Sequence, residues 1–283
     1  MEAWFDSVIF QAIVLGILQG LTEFLPISSS GHLALCKQAI PGFEEPGMLL
    51  DVMLHVGTLA AVTAYYRRDI IEVVGMVLRY VRGGRAAGDA ESSKLLWGIV
   101  IASVPTAVIG LLLEARVEVF SGSMLYVGAA LIATGVMLIA GKILSERVIP
   151  RPGNPGYIAG FAVGVAQGIA VIPGISRSGA TISMARSLGT GGAEAARFAF
   201  LISIPAIAGA ALLKTVEYMD EIKGFTAEQA VAYVVGPLVA AVVGYAAIAA
   251  VMREVKEGRF VYYSIYCIFL GLNAVVTGHY LGS

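Results

Sequence analysis

An ungapped internal repeat places the strongest constraint on this chain. Residues 16–31 match residues 164–179 at a constant offset of 148. Each copy holds polar or ionisable residues within otherwise apolar sequence, so we expect both copies to contribute to one composite site. The sequence predicts two related halves, repeat 1 at about 1–147 and repeat 2 at about 148–283, within a single domain of 1–283. The identical pairs are Gly16 and Gly164, Gln19 and Gln167, Gly20 and Gly168, Ile27 and Ile175, Ser28 and Ser176, Ser30 and Ser178, and Gly31 and Gly179.

The composition indicates the class of protein. Hydrophobic residues make up 58% and charged residues 14% of the chain, and the mean hydropathy is +0.82. In soluble domains about 45–50% of residues are apolar and about 25% are charged. A chain of 283 residues has too little interior to bury this many apolar helices, so the sequence predicts an all-α polytopic membrane protein. The net charge of −1 leaves no basic surface suited to nucleic acid.

Two kinds of apolar segment can be distinguished. The repeated segments, about 8–38 and 158–188, each have an apolar run of only about 15 residues, broken near its middle by proline, serine and glycine. They are therefore predicted to be re-entrant helical hairpins. Both hairpins should line a cavity, because unpaired backbone groups at membrane depth must be satisfied by protein or water. Six longer runs are predicted to span the membrane: 48–66, 95–113, 124–144, 198–213, 228–250 and 261–281.

The two halves are predicted to have inverted topology. Each half contains one hairpin plus three transmembrane helices, and three crossings start the second half on the opposite face. Basic residues concentrate in loops 67–94, 145–157 and 251–260, which the positive-inside rule places in the cytoplasm. Both termini would then be outside, and the hairpin tips would meet near the midplane. The predicted external segments are 39–47, which carries Glu44 and Glu45, and 214–227.

The first hairpin, GLTEFLPISSSGH, contains candidate catalytic residues. Placing a carboxylate or imidazole in a membrane segment costs several kcal/mol of free energy unless the group is paired with another polar group or hydrated. Glu23 and His32 are therefore functional candidates. The bend between them lets the two side chains face each other. Ser29 or a water could be the nucleophile, His32 a general acid or base, and Glu23 a metal ligand or the group that orients the imidazole. A purely structural Glu23, and a His32 hydrogen-bonded at the membrane surface, are the alternatives.

Both hairpin turns have the composition of an anion site. The turn after Pro26 offers serine hydroxyls and free backbone N–H groups. In the second hairpin, PGISRSGAT, Arg177 adds a planar bidentate donor that matches phosphate oxygens. The alternative is that serines only cap a helix while Arg177 forms a structural salt bridge with Glu23. The candidate phosphate-binding residues are Ser28, Ser30, Ser176, Arg177, Ser178 and Thr181.

A third polar pair lies on the first predicted span. Asp51 and His55 are four residues apart and therefore share one face of a helix. They could support the site from behind, or they could pack between the two halves.

The two motifs carry a family resemblance. QGLTEFLPISSSGH (19–32) and PGISRSGAT (173–181) resemble the signature segments of the bacterial undecaprenyl-diphosphatase family, also called bacitracin-resistance proteins. The likeness covers essentially the whole chain, including the segment LLDVMLHVGTLAAV. It implies hydrolysis of undecaprenyl diphosphate to undecaprenyl phosphate and inorganic phosphate, which recycles the carrier lipid for cell-wall synthesis. It also implies a multi-pass protein of the bacterial plasma membrane whose active site faces the exterior or periplasm.

The resemblance also implies residue roles. Glu23, Ser29, His32 and Arg177 match the family's catalytic positions, and a divalent cation, Mg²⁺ or Ca²⁺, is implied with Glu23 as a ligand. Many relatives have Glu where this chain has Gln19, and an amide is a weaker ligand that cannot act as a base. The phosphates themselves could supply the remaining ligands.

Transport is the main alternative to hydrolysis from another class of function. Inverted repeats with broken helices are typical of transporters, so transport of a lipid or anion is the main alternative. A transporter needs no nucleophile or proton-transfer group, so Ser29, His32 and Glu23 favour hydrolysis. The expected partners are a polyprenyl diphosphate and the lipid bilayer, and a homodimer is left open.

Overall fold

A computed structural model describes residues 7–39, 49–219, 223–257 and 260–281 of the chain. Apart from one isolated β-bridge between Arg151 and Thr190, they form helices and connecting turns. The predicted all-α class is confirmed. The helices are α1 (Val8–Phe24), α2 (Ser29–Ala39), α3 (Leu49–Tyr65), α4 (Arg67–Val81), α5 (Asp89–Ser121), α6 (Met124–Glu146), α7 (Tyr157–Ile169), α8 (Arg177–Ser187), α9 (Gly192–Glu217), α10 (Ala227–Glu257) and α11 (Phe260–Leu281).

Five of the described helices are long and apolar enough to cross a membrane, namely α5, α6, α9, α10 and α11. They contain the last five predicted spans, so the chain is a multi-pass membrane protein. The first predicted span, 48–66, corresponds to α3, which has only 17 residues. The chain bends by 74° between α3 and α4, and only together are these two helices long and apolar enough to make a span.

Helix α4 corrects the prediction of a loop at 67–94. Its 15 residues are amphipathic, and apolar side chains such as Ile71, Val74 and Val81 are exposed. The arginines of this segment suggested a loop, but the apolar positions between them recur at helical spacing. The predicted external charges Glu44 and Glu45 lie outside the described residues.

Both repeated segments are broken helices, as predicted. In the first, α1 ends at Phe24 and α2 begins at Ser29 after a turn that contains Pro26. In the second, α7 ends at Ile169 and α8 begins at Arg177 after a turn with Pro173 and Gly174, whose φ is +98°. The re-entrant path through a bilayer and the inversion of the two halves stay predictions.

The two halves interlock through equivalent helices. Helix α1 packs along α10 of the second half, and α7 packs along α5 of the first. The repeated glycines permit both contacts: a Cβ at Gly20 would lie 2.8 Å from the Cβ of Val243, and one at Gly168 would lie 2.8 Å from the Cβ of Ile109. Small residues allow such close packing of membrane helices. The ungapped repeat therefore marks matching helix contacts.

The end of α1 is anchored by an aromatic core. Phe24 is fully buried and meets Phe200 of α9 edge to face, with ring centroids 5.4 Å apart. A Cβ at Gly244 of α10 would lie 3.0 Å from the Phe24 ring, so α10 also closes on it. The backbone of Glu23, the preceding residue, is therefore held against helices of the other half.

Candidate active site

The two hairpin turns meet inside the protein. The Ser178 hydroxyl, at the start of α8, donates a hydrogen bond to the Leu25 carbonyl oxygen at 2.8 Å. A Cβ at Gly31 would lie 3.1 Å from the Cα of Gly174, so the turns also touch through backbone. The first turns of α2 and α8 therefore lie next to each other.

The repeat is visible in the way both helices begin. Ser28 Oγ accepts the Gly31 N–H at 3.3 Å, and Ser176 Oγ accepts the Gly179 N–H at 3.1 Å. Each capping serine also contacts the second serine along, Ser30 at 3.3 Å and Ser178 at 3.2 Å. Ser28 has a φ of +68°, a left-handed conformation that costs energy for a residue with a Cβ. Paired caps of this kind satisfy the first N–H groups of a helix.

Glu23 is the centre of a cluster of donors. Its Oε2 accepts from Gln19 Nε2 at 2.9 Å and from the Ser29 hydroxyl at 2.5 Å, and its Oε1 forms an ion pair with Arg177. The Glu23 side chain is 2% exposed and that of Arg177 is 20% exposed. The salt bridge considered as the structural alternative does form. It still leaves donors of the guanidinium free for an anion, because a guanidinium has five N–H groups.

His55 also belongs to this cluster. Its Nε2 lies 3.6 Å from Glu23 Oε2, and its Nδ1 lies 2.7 Å from the Asp51 carbonyl oxygen. Asp51 in turn receives a hydrogen bond from Lys37 at 2.6 Å. Asp51 and His55 were predicted either to support the site or to pack between the two halves. The structure places the His55 imidazole beside the Glu23 carboxylate, as the first of these predictions requires.

His32 has partners other than Glu23. Its Nδ1 lies 2.7 Å from the Ser28 carbonyl oxygen, and its Nε2 lies 2.7 Å from the hydroxyl of Tyr266 on α11. The two rings are stacked, with centroids 5.6 Å apart and an interplanar angle of 12°. In this structure the hydrogen-bond partners of the imidazole are Ser28 and Tyr266. Orienting the imidazole was one of two roles predicted for Glu23, whose carboxylate instead binds Gln19, Ser29 and Arg177.

The family model described as bacitracin resistance protein BacA matches residues 12–273. The chain belongs to this family. An undecaprenyl-diphosphatase from Desulfosudis oleivorans is 46% identical over 92% of this chain and 95% of its own length. Another from Desulforapulum autotrophicum is 38% identical over 95% of this chain and 98% of its own length, and one from Syntrophotalea carbinolica is 41% identical over 92% and 95%. The resemblance seen in the two motifs is confirmed.

In this BacA-family chain, Gln19 and Glu23 fit a divalent cation in part. Gln19 Oε1 is buried without a hydrogen-bond partner, one helical turn before Glu23. Amide and carboxylate oxygens suit Mg²⁺ and Ca²⁺. Among the described residues, no cluster of three or more His, Cys, Asp and Glu side chains could hold a metal. The protein therefore offers two oxygen donors on one helix face, and a bound phosphate would have to complete the coordination.

Several predicted phosphate-binding hydroxyls already have partners. Ser178 binds the other hairpin, and the Thr181 hydroxyl donates to the Arg177 carbonyl oxygen at 2.8 Å. Ser176 caps α8. In this structure these hydroxyls shape the turn that carries Arg177, and phosphate binding by them and by the guanidinium stays a prediction.

Two contributors were missed by sequence reasoning. Tyr266 contacts His32 from a distance of 234 residues along the chain. Thr134 of α6 donates to the Gly174 carbonyl oxygen at 2.8 Å and accepts the Ser176 N–H at 3.0 Å. Each lies in an apolar span where one tyrosine or threonine is ordinary, so the sequence carries no signal for either.

Proposed function

We propose that the protein is a phosphatase that hydrolyses undecaprenyl diphosphate to undecaprenyl phosphate and inorganic phosphate. Relatives named undecaprenyl-diphosphatase match nearly the full length of the chain. The observation that carries the proposal is the contact of both hairpins around Glu23, where Ser29 and Arg177 converge on one carboxylate. In the cell this reaction regenerates the carrier lipid for cell-wall synthesis and confers bacitracin resistance.

The chemistry follows from these contacts. Arg177 binds the terminal phosphate and stabilises the charge that develops during phosphoryl transfer. The Ser29 hydroxyl attacks the terminal phosphorus, its proton passes to Glu23, and the bond to the bridging oxygen breaks as undecaprenyl phosphate leaves. Water then hydrolyses the phosphoserine. In the alternative mechanism, a water deprotonated by Glu23 or His32 attacks the terminal phosphorus directly, and no phosphoserine forms. A Ser29→Ala variant distinguishes the two mechanisms.

We further propose a divalent cation, Mg²⁺ or Ca²⁺, held by Glu23 and more weakly by Gln19. When bound, it supplies positive charge to the diphosphate oxygens. The unpartnered Gln19 oxygen supports this assignment. Glu23 would then have to serve the cation as well as its present partners Gln19, Ser29 and Arg177, which the about four lone-pair sites of its two oxygens permit.

The site is proposed to work in the bacterial plasma membrane and to be reached from the exterior or periplasm. The asymmetry of charge between the segments that join the spanning helices, α4 among them, supports this orientation. The prenyl chain stays among apolar helix surfaces, which the five spanning helices provide in excess.

The test is release of phosphate from a prenyl diphosphate by the purified full-length protein, with and without chelator. Wild type should be active, and chelator or Arg177→Ala should remove at least about 99% of the activity, since each removes charge stabilisation of the transition state. Arg186→Ala is the control, because Arg186 lies on the same helix but contacts the Phe260 ring.

Two further variants assign the nucleophile. If Ser29 attacks, Ser29→Ala should be inactive and acid-quenched wild type should contain phosphoserine at position 29. If Ser29→Ala keeps substantial activity, water attacks directly. Failure of well-folded wild type to release phosphate with any of several metals and prenyl lengths would reject the proposal and favour transport.

A further inference from the structure

We propose that Tyr266 is a positioning residue for His32, which its hydroxyl holds in one tautomer and one orientation through the whole reaction. This inference rests on the proposed function insofar as His32 takes part in the chemistry. The contact joins α11, the last helix of the second half, to the first hairpin.

The tautomer follows from the two partners of the ring. The Ser28 carbonyl oxygen can only accept, so His32 Nδ1 must carry a proton to bond it at 2.7 Å. In the neutral imidazole Nε2 then has the lone pair, and the Tyr266 hydroxyl donates to it at 2.7 Å. The basic nitrogen of His32 is therefore the one that faces Tyr266.

A hydroxyl serves both protonation states of this nitrogen. It donates to neutral Nε2, and when the phenol oxygen takes up a proton from a water it passes its own proton to Nε2 and then accepts from the new N–H, because a phenol hydroxyl can do either. The Ser28 carbonyl oxygen accepts from Nδ1 in both states. The imidazole can therefore gain and lose a proton without turning, which keeps the reorganisation small.

The helix that carries the phenol packs against the first hairpin. The next residue on α11, Cys267, is fully buried with its Sγ 3.8 Å from the Pro26 carbonyl oxygen, so two consecutive residues of α11 contact the first hairpin. His32 is 8% exposed whereas Tyr266 is 42% exposed. The phenol thus covers the Nε2 side of a buried ring and lies between it and the outer surface.

The test compares Tyr266→Phe with Tyr262→Phe in the full-length protein in detergent. Tyr262 lies one turn earlier on α11 and is 70% exposed, so it undergoes the same chemical change away from His32. We expect Tyr266→Phe to lower kcat about tenfold with KM nearly unchanged, which is the low end of the roughly 10- to 100-fold cost of removing the hydrogen-bond partner of a metal-bound histidine. Tyr262→Phe should match wild type.

A double substitution separates positioning from a general structural role. If Tyr266 acts through His32, adding Tyr266→Phe to His32→Ala should cause no further loss, whereas independent effects would multiply. Multiplying losses, or wild-type kcat in Tyr266→Phe, would overturn the inference. Neither result depends on which group is the nucleophile.

A spectroscopic readout remains if His32→Ala is too slow to assay. The chain has three histidines, so ¹⁵N-histidine signals can be assigned by single substitution. Wild type should show His32 as the Nδ1–H tautomer with Nε2 hydrogen-bonded, and Tyr266→Phe should shift the Nε2 signal. An unchanged His32 signal would overturn the inference even in an active enzyme, whereas an inactive wild type with the expected signals would count only against the proposed function.

Discussion

Thr134 allows a quantitative test of how the second hairpin turn is held. Its hydroxyl bonds both the carbonyl of Gly174 and the N–H of Ser176, and the side chain is fully buried. Thr134→Val keeps the shape but leaves one buried donor and one buried acceptor without partners. Each such group costs about 1–3 kcal/mol, so the free energy of unfolding should fall by about 2–6 kcal/mol. The loss should lie near the lower figure, because polar groups in membrane helices find other partners.

The assay is unfolding of purified protein in mixed micelles by a denaturing detergent, with turnover measured below the transition. Thr134→Ser is the control: it keeps the hydroxyl and should lose about 0.8 kcal/mol for one buried methyl. Thr134→Val should also turn over more slowly, because the segment it releases leads directly into Arg177. Equal stability and equal turnover of Thr134→Val and wild type would refute the argument that these two bonds fix the turn.

Two other perturbations have clear expected outcomes. Gly20→Ala should lower the free energy of unfolding by about 1–3 kcal/mol, because its Cβ would meet Val243 at 2.8 Å. The measurement is thermal unfolding of Gly20→Ala and of the control Gly209→Ala, since a Cβ at Gly209 would have no atom within 4 Å. An equal loss of stability in both variants would contradict the prediction. Glu23→Gln should reduce kcat at least about 100-fold, since an amide cannot take a proton from Ser29 or balance Arg177. Steady-state kinetics measure this, with Glu146→Gln as the control because the Glu146 side chain is 63% exposed. Wild-type kcat in both variants would contradict the prediction.

Much of the architecture could be predicted because it depends on local composition. Apolar run length located the spanning helices, and proline with glycine located both breaks. The meeting of Glu23 and Arg177 was predictable from the repeat, since equivalent hairpins of two related halves point to one composite site. Helix α4 was not foreseen, because its arginines masked an amphipathic pattern.

The detailed contacts of the site were beyond reach of sequence for a different reason. Tyr266 and Thr134 act through contacts that depend on how α11 and α6 rotate against the hairpins. A rotation of one residue, about 100°, would point either side chain elsewhere. Nothing in a uniformly apolar helix specifies that rotation locally.

The matched serine caps have a consequence for stoichiometry. The duplicated framework is the same at Ser28 and Ser176, yet the residues next to these caps have diverged, with Ser29 in one half where the other has Arg177. Under the proposed mechanism the serine nucleophile and the arginine that binds the phosphate thus come from different halves of the chain. In that mechanism one chain makes a single phosphoryl-transfer centre rather than two, because each half supplies a group for which the other has a different residue at the equivalent position.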